Sequence, residues 1–110
     1  MDFATAARFV LSQALGLDTQ PDYFIYRLSQ GQPPVPGQVT SLLLALKVLY
    51  EELRSADTLE RSLACALFVL AYDSRAHYRA GAEAGVEWPP LLDEDLTRIA
   101  IAAKQIFADI

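Results

Sequence analysis

Two segments of this chain, 39–49 and 63–72, are apolar on nearly every side of a helix. At the helical period neither segment leaves a polar face over about three turns. A helix of this kind is stable where other helices cover it. The chain has 110 residues, enough for one domain with a core and too few for two. The pattern therefore predicts a single all-α domain over 1–110, with these two helices at its centre.

Apolar spacing and end signals predict about five helices and no strand. The first runs from Asp2 to Leu15, the second from about Thr19 to Gln30, the third from Pro36 to near Arg54, the fourth from Asp57 or Thr58 to Gly85, and the fifth from between Pro90 and Asp93. Asp2 is expected to cap the first helix, and Asp18 or Thr19 the second. Asp57–Glu60 fits a capping box for the fourth helix, whose last turn Gly81 should weaken.

Helical periodicity also predicts which side chains meet in the core. The predicted core consists of Leu43, Leu46, Leu49, Leu63, Leu67, Leu70, Ile99 and Phe107. Cys65 lies between two alanines on an apolar helix, so we expect it to be a small buried residue. As the only cysteine, it excludes an internal disulfide and a cysteine metal cluster.

Two proline-rich joints, GQPPVPG (31–37) and GVEWPP (85–90), precede the third and fifth helices. Proline stiffens the chain, so each joint can fix the angle at which a core helix begins. A second interpretation is that the extended joints, with nearby aromatic residues, form a docking surface. The candidate interaction residues are Tyr23, Tyr26, Pro33, Pro34, Trp88, Pro89 and Pro90.

The sequence contains no motif that predicts catalysis, and we expect no catalytic residue, cofactor or metal. Phosphate loops are absent, and so is the Glu-x-x-His pattern of metal-binding helix bundles. Asp73 and His77 are four residues apart, but no nucleophile accompanies them, so a surface ion pair is the simpler interpretation. The alternative is a small enzyme or ligand-binding bundle with a pocket near Asp73, His77 and Tyr78.

Charge and hydropathy limit the range of partners. The net charge is −5, and no cluster of Lys and Arg offers a site for nucleic acid. The acidic run between 83 and 95 is mostly explained by the first turn of the fifth helix, where acids are favourable. The longest apolar run, 39–50, is interrupted by Lys47 and is shorter than the ~20 residues that span a bilayer. Since the N-terminal residues do not resemble a signal peptide, we expect a cytoplasmic protein.

Hydrophobic residues make up 53% of the chain, above the ~45–50% typical of soluble domains. The unbroken row Tyr23–Tyr26 should leave at least one of its four side chains pointing outward. This surplus of apolar surface predicts a homodimer that uses the second or third helix. The alternative is a monomer whose apolar groove receives an unknown protein partner. Both indicate a non-catalytic interaction or assembly protein.

The stretches GQPPVPGQVTSLLLALKV (31–48) and AGVEWPPLLDEDLTRIAIAAKQIF (84–107) resemble a family of short all-helical cyanobacterial proteins. The resemblance covers most of the chain and is most specific in the two joints. It implies a cytoplasmic cyanobacterial protein and brings no catalytic residues. Some members carry the automatic label dethiobiotin synthetase. Such an enzyme uses a phosphate loop, which this chain lacks.

Overall fold

The computed structural model of the chain describes residues 1–16 and 21–110. Its helices are α1 (Phe3–Leu15), α2 (Phe24–Ser29), α3 (Gln38–Leu53), α4 (Arg61–Phe68), a π segment (Val69–Asp73), α5 (Ser74–Glu83) and α6 (Leu92–Ala108). Because α4, the π segment and α5 follow one another without a break, they form one continuous helix, here called the long helix. Counted in this way, the described residues hold five helices and no strand, which confirms the predicted all-α bundle.

The beginnings of α1 and α6 follow the signals in the sequence. The Asp2 carboxylate accepts a hydrogen bond of 2.7 Å from the Thr5 backbone N–H and caps α1. This hydrogen bond lowers the pKa of Asp2 below its ordinary value. α6 begins at Leu92, within the predicted range, and its first turn contains three acidic residues, 93–95. These acids complement the positive end of the helix dipole.

α2 is shorter than predicted, because it begins at Phe24 and residues 21–23 form a turn and bend. The predicted caps, Asp18 and Thr19, lie outside the described residues. The Phe24 N–H instead donates 2.9 Å to the side-chain oxygen of Gln13 on α1. A residue eleven positions earlier therefore satisfies the first amide of α2, which no local pattern could indicate.

The long helix begins at Arg61, so the predicted capping box at Asp57–Glu60 is wrong. Glu60 is the N-cap residue, yet its side chain bonds no backbone amide of the helix. Its carboxylate accepts the Ser62 hydroxyl instead. The carboxylate is therefore engaged by a neighbouring side chain rather than by the amides that a capping box would satisfy.

Four elements surround the core. α3 packs mainly against α1 and α6, and the long helix packs against the same two helices, while α2 covers the end of the long helix. α3 and the long helix therefore lie at opposite corners of a four-helix arrangement. The expectation that these two helices together form the centre is wrong. In a bundle of this size every helix keeps an outer side, however apolar it is.

Contacts at both ends show that α3 and α6 run parallel. Pro34 and Pro89, which precede the two helices, line one groove. At the other end, the Ser55 N–H donates 3.2 Å to the Asp109 carboxylate. The long helix runs antiparallel to α6, because Arg75 reaches Asp93 at the start of α6 while earlier residues of the long helix lie near its end.

The core contains most of the residues predicted for it. Its buried apolar members are Ala6, Val10, Ala14, Phe24, Leu28, Leu42, Ala45, Leu46, Leu49, Leu63, Ala66, Leu67, Leu70, Leu92, Leu96, Ile99, Ala103 and Ile106. Of the predicted residues, Leu43 is half-buried against the core. Phe107 is 50% exposed, so its assignment to the core is wrong; Ala103 and Ile106 face inward in its place. The burial expected for Cys65 is also wrong, because Cys65 lies on the outer side of the long helix.

Candidate interaction surface

The outer side of the long helix is apolar where solvent would be expected to meet polar residues. Cys65, Phe68, Tyr72 and Ala76 are all exposed and follow one another at spacings of three and four residues. Phe68 is 55% exposed and Tyr72 is 62% exposed. Their rings stack on each other with centroids 5.3 Å apart. The two aromatic side chains thus pack together on the surface instead of entering the core.

An apolar groove of about 360 Å³ lies beside this stack, between the long helix and α6. Four of its seven lining residues are alanines, and one is charged. The lining residues are Phe68, Ala71, Ala100, Ala103, Lys104, Phe107 and Ala108. The Phe68–Tyr72 stack and this groove together are here called the aromatic face. It combines a raised pair of rings with a depression lined mainly by small side chains.

The π segment contributes Ala71 and Tyr72 to the aromatic face. The Ser74 N–H donates to the Val69 carbonyl, five residues earlier, where an α-helix would use the carbonyl four residues earlier. The buried Ser74 hydroxyl donates 2.5 Å to the Leu70 carbonyl and thereby satisfies its own polar group. Segments of this kind are frequent at functional sites.

The whole chain exposes 6609 Å² of surface, about a tenth more than the ~6,000 Å² expected of a monomer of this mass. Its radius of gyration, 13.5 Å, is close to the ~13 Å of a compact domain of this length. The chain is therefore about as compact as a monomer of this size.

The row Tyr23–Tyr26 was predicted to contribute exposed apolar surface. Phe24 is fully buried, and Tyr23, Ile25 and Tyr26 are half-buried. None of the four is largely exposed, so this row supplies no large apolar surface. Tyr23 lines a separate groove of about 360 Å³, whose other described walls come from α1, from Asp22, from the end of the first joint and from the beginning of α3.

Two buried glutamines hold the first joint in place. Gln38 donates 2.8 Å to the Gln13 side-chain oxygen and 2.7 Å to the Asp22 carbonyl. Its own side-chain oxygen accepts the Val35 N–H at 3.0 Å. The carbonyl of Pro33 accepts a bond of 2.6 Å from the Arg27 side chain. These bonds fix the joint against α1 and α2, in agreement with its structural interpretation.

The two joints meet in space, although they are far apart in sequence. Pro34 and Pro89 line the same groove of about 250 Å³, while Pro33 and Pro90 are exposed. The structure therefore brings two of the predicted interaction residues together. Tyr23 lines another groove, so the predicted set does not form one site.

Trp88 attaches the second joint to the long helix. Its indole N–H donates 2.8 Å to the Tyr78 carbonyl, and its ring stacks on the Tyr78 ring with centroids 5.8 Å apart. A methyl group on Gly81 would overlap the Trp88 ring. Gly81 thus provides the space in which Trp88 packs. The Arg75 guanidinium, 5.2 Å from the centre of the Tyr78 ring, also bonds Asp93 and so links this cluster to α6.

Asp73, His77 and Tyr78 do not converge on one cavity. His77 is half-buried and lines a groove of about 340 Å³ against the end of α2, whereas Asp73 and Tyr78 are not among its lining residues. The predicted ion pair is not formed: in residues 1–16 and 21–110 no salt bridge joins Asp73 to His77. The described part of the chain also holds no group of three or more potential metal ligands. The ligand-binding alternative stays a prediction.

Comparison with protein families, with curated proteins and with solved structures finds no match to this chain. Within the described ranges, no helix combines the length and the hydropathy needed to cross a bilayer.

Four residues of the aromatic face, Phe68, Tyr72, Lys104 and Phe107, are not among the interaction residues predicted from the sequence. A signal was present, because exposed Cys65, Phe68 and Tyr72 follow one another at helical spacing with no charge among them. What the sequence could not supply was the side of the long helix that faces outward.

Proposed function

We propose that this chain is a non-catalytic assembly protein that acts as a homodimer, and that two copies meet through the aromatic face. The observation that carries the proposal is the stacked, largely exposed pair Phe68 and Tyr72 beside an apolar groove. Contiguous apolar surfaces of this kind mark protein contacts, and aromatic residues are enriched in their centres. A cytoplasmic location and the cyanobacterial origin implied by the resemblance belong to the same proposal.

The area of the face is compatible with the centre of a dimer interface. Taking about 200 Å² for a full aromatic side chain, Phe68, Tyr72 and Phe107 together expose roughly 300 Å² per copy. A stable dimer buries about 800 Å² on each partner, with an apolar centre and a polar rim. The three rings therefore provide the centre of such an interface, and the surrounding ends of the two helices provide its rim.

The shape of the face points to a second copy as its occupant. In a two-fold dimer the same patch on both copies must be complementary to itself. The aromatic face carries both a raised pair of rings and a depression next to it. Each copy can therefore present its rings to the depression of the other.

Sedimentation equilibrium at micromolar concentration tests the proposal. The unchanged protein should show about twice the monomer mass of 12.1 kDa. The double variant Phe68→Ser with Tyr72→Ser should sediment as a monomer with an unchanged circular dichroism spectrum, because both side chains are largely exposed. Leu44→Ser on α3 is the matched control: Leu44 is 49% exposed outside the aromatic face, and its loss should leave the dimer intact.

Two results would contradict the proposal. One is a monomer mass for the unchanged protein throughout the micromolar range. The other is a dimer that Leu44→Ser dissociates and that the double variant leaves intact, since this would place the interface on α3.

A further inference from the structure

The two helices of the aromatic face differ in relief, and this difference indicates how two copies fit together. The long helix carries the raised rings of Phe68 and Tyr72. α6 contributes small side chains to the groove beside them, at Ala100, Ala103 and Ala108. The face thus has a raised side on the long helix and a low side formed mainly by α6.

The contacts of Arg75 show which part of α6 lies beside the rings. The Arg75 guanidinium donates 2.5 Å to the Asp93 carboxylate and 3.1 Å to the Thr97 hydroxyl, so Arg75 lies near the level midway between these two residues. The two helices are antiparallel and rise equally per residue. Phe68, seven residues before Arg75, therefore lies near the level of position 102 on α6.

Small side chains occupy α6 at this level. Ala100 and Ala103 line the groove on either side of position 102. Phe107, the large apolar residue of the same helix, lines the groove about 7 Å further along. The rings of the long helix and the depression on α6 therefore lie side by side at one level of the bundle.

Two kinds of two-fold axis can bring this face onto its own copy. An axis parallel to the long helix keeps every level and exchanges the two sides of the face, so the long helix of one copy lies on α6 of the other. An axis across the face, perpendicular to the long helix, keeps the sides and reverses the levels. It would set rings against rings and leave the two depressions facing each other unfilled. Because unfilled space loses van der Waals contacts, the parallel axis gives the better packing.

We propose that two copies meet about a two-fold axis parallel to the long helix, and that the Phe68 and Tyr72 rings of each copy cover Ala100 and Ala103 of the other. The inference rests on the proposed homodimer and goes further by assigning the direction of its axis and the helix that each helix contacts. The four helices of the interface then have antiparallel neighbours throughout, as in an up-down four-helix bundle.

Lys104, the one charged residue that lines the groove, is compatible with this packing. It is exposed and lies close to the level of Phe68. In the dimer its methylene stem can lie along the partner's long helix while its ammonium group stays in water. The apolar centre of the interface therefore does not bury a charge.

Distances between spin labels on the long helix test the direction of the axis. Cys65, the only cysteine, is exposed and accepts a label, and Cys65→Ser with Arg79→Cys moves the label fourteen residues along the outer side of the helix. About a parallel axis both pairs of labels stay level. Both distances should then reflect helices about 13 Å apart, on the diagonal of four packed helices, and should agree within about 5 Å. About an axis across the face at the rings, the Arg79 pair should be about 10 Å further apart than the Cys65 pair.

Filling the depression gives a second test, read by sedimentation equilibrium. Ala100→Leu, at a half-buried position, should keep the circular dichroism spectrum but block the partner's rings, and this overpacking should weaken the dimer by about tenfold. With an axis across the face, the leucine would fill empty space and the dimer would not weaken. Gln105→Leu is the matched control, at an exposed position of α6 outside the groove lining, and should change the dissociation constant by less than about twofold.

The outcomes are distinct. Equal label distances together with a dimer weakened by Ala100→Leu and not by Gln105→Leu support the arrangement. A longer distance for the Arg79 pair, or a dimer that Ala100→Leu leaves intact, overturns the arrangement while the homodimer stands. A monomer mass for the unchanged protein overturns both the proposed function and the arrangement.

Discussion

α3 and the long helix resemble each other in composition, but their outer sides differ. On α3 the exposed positions Thr40, Leu44, Lys47 and Glu51 follow at helical spacing, so one leucine stands in a polar stripe. The corresponding exposed stripe of the long helix contains Cys65, Phe68, Tyr72 and Ala76, with no charge over about three turns. The comparison shows that the number of apolar residues in a helix says little about its surface. The residue type at a few positions on the outer side decides whether a bundle corner can face water.

The largest expected effect is on the free energy of unfolding, and it should differ between two adjacent residues of the long helix. Leu67 is fully buried and Phe68 is 55% exposed. Leu67→Ala should lower the free energy of unfolding of the monomer by about 2–5 kcal/mol, because it leaves a cavity in the core. Phe68→Ala should change that free energy by less than about 1 kcal/mol and should instead weaken self-association. Urea unfolding at low concentration measures the first quantity, and sedimentation the second.

Leu46→Ala gives the corresponding result for α3, since Leu46 is also fully buried. The free energy of unfolding should fall by about as much as it does for Leu67→Ala, within the same range. If Phe68→Ala destabilised the monomer as much as either leucine variant, Phe68 would belong to the core and the comparison of the two outer sides would no longer hold.

A smaller effect is expected at the beginning of α3, where the Gln38 side chain bonds the first joint and the residues around it. The variant Gln38→Ala removes three hydrogen bonds, to Gln13, Asp22 and Val35. Leaving such buried groups without their partner should reduce the free energy of unfolding by about 1–3 kcal/mol. Gln105→Ala, at an exposed position of α6, is the control and should change it by less than about 0.5 kcal/mol. Equal effects of the two variants would show that the Gln38 bonds contribute nothing to stability.

The end of the long helix should respond to Gly81→Ala. Alanine favours the helix by about 1 kcal/mol over glycine, but its methyl group would overlap the Trp88 ring. Overpacking of this kind costs about 1–3 kcal/mol, so a net loss of about 1 kcal/mol is expected. Because Trp88 is the only tryptophan, its displacement should shift the fluorescence emission to longer wavelength. Ala82→Ser, at an exposed position one residue along, should leave the emission unchanged, and an unshifted spectrum for Gly81→Ala would contradict the packing described.

The smallest effect concerns α1, which packs against both α3 and α4. The hydrogen bond from Thr5 lowers the pKa of Asp2 in the folded protein. The charged cap therefore stabilises α1 above the ordinary pKa of the carboxyl, and this contribution is lost as the pH falls through the lowered value. An NMR titration should place the Asp2 pKa below 3.8. Asp2→Asn, which still caps a helix, should remove this pH dependence at the start of α1. A titration midpoint at or above 3.8 would be the contrary result.

The parts of the fold that could be predicted are those controlled by neighbouring residues. Asp2 and the acids at the start of α6 indicate their helix ends because capping and dipole effects act within one turn. The start of α2 could not be predicted, since its first amide is bonded by Gln13 from another helix. The exposure of Phe68 depends on which corner the long helix occupies, and that is decided by all four helices together. The π segment has no local signal that periodicity would detect.

α6 has a consequence for the order in which the chain can fold. It follows α3 and the long helix in the sequence, yet it packs against both and closes one side of the core for each of them. During synthesis, which proceeds from the N-terminus, α3 and the long helix therefore stay uncovered on that side until α6 has left the ribosome. Exposed apolar surface on an unfinished domain favours aggregation. A nascent chain arrested before Leu92 should accordingly recruit chaperones that one extended beyond Ala108 no longer needs.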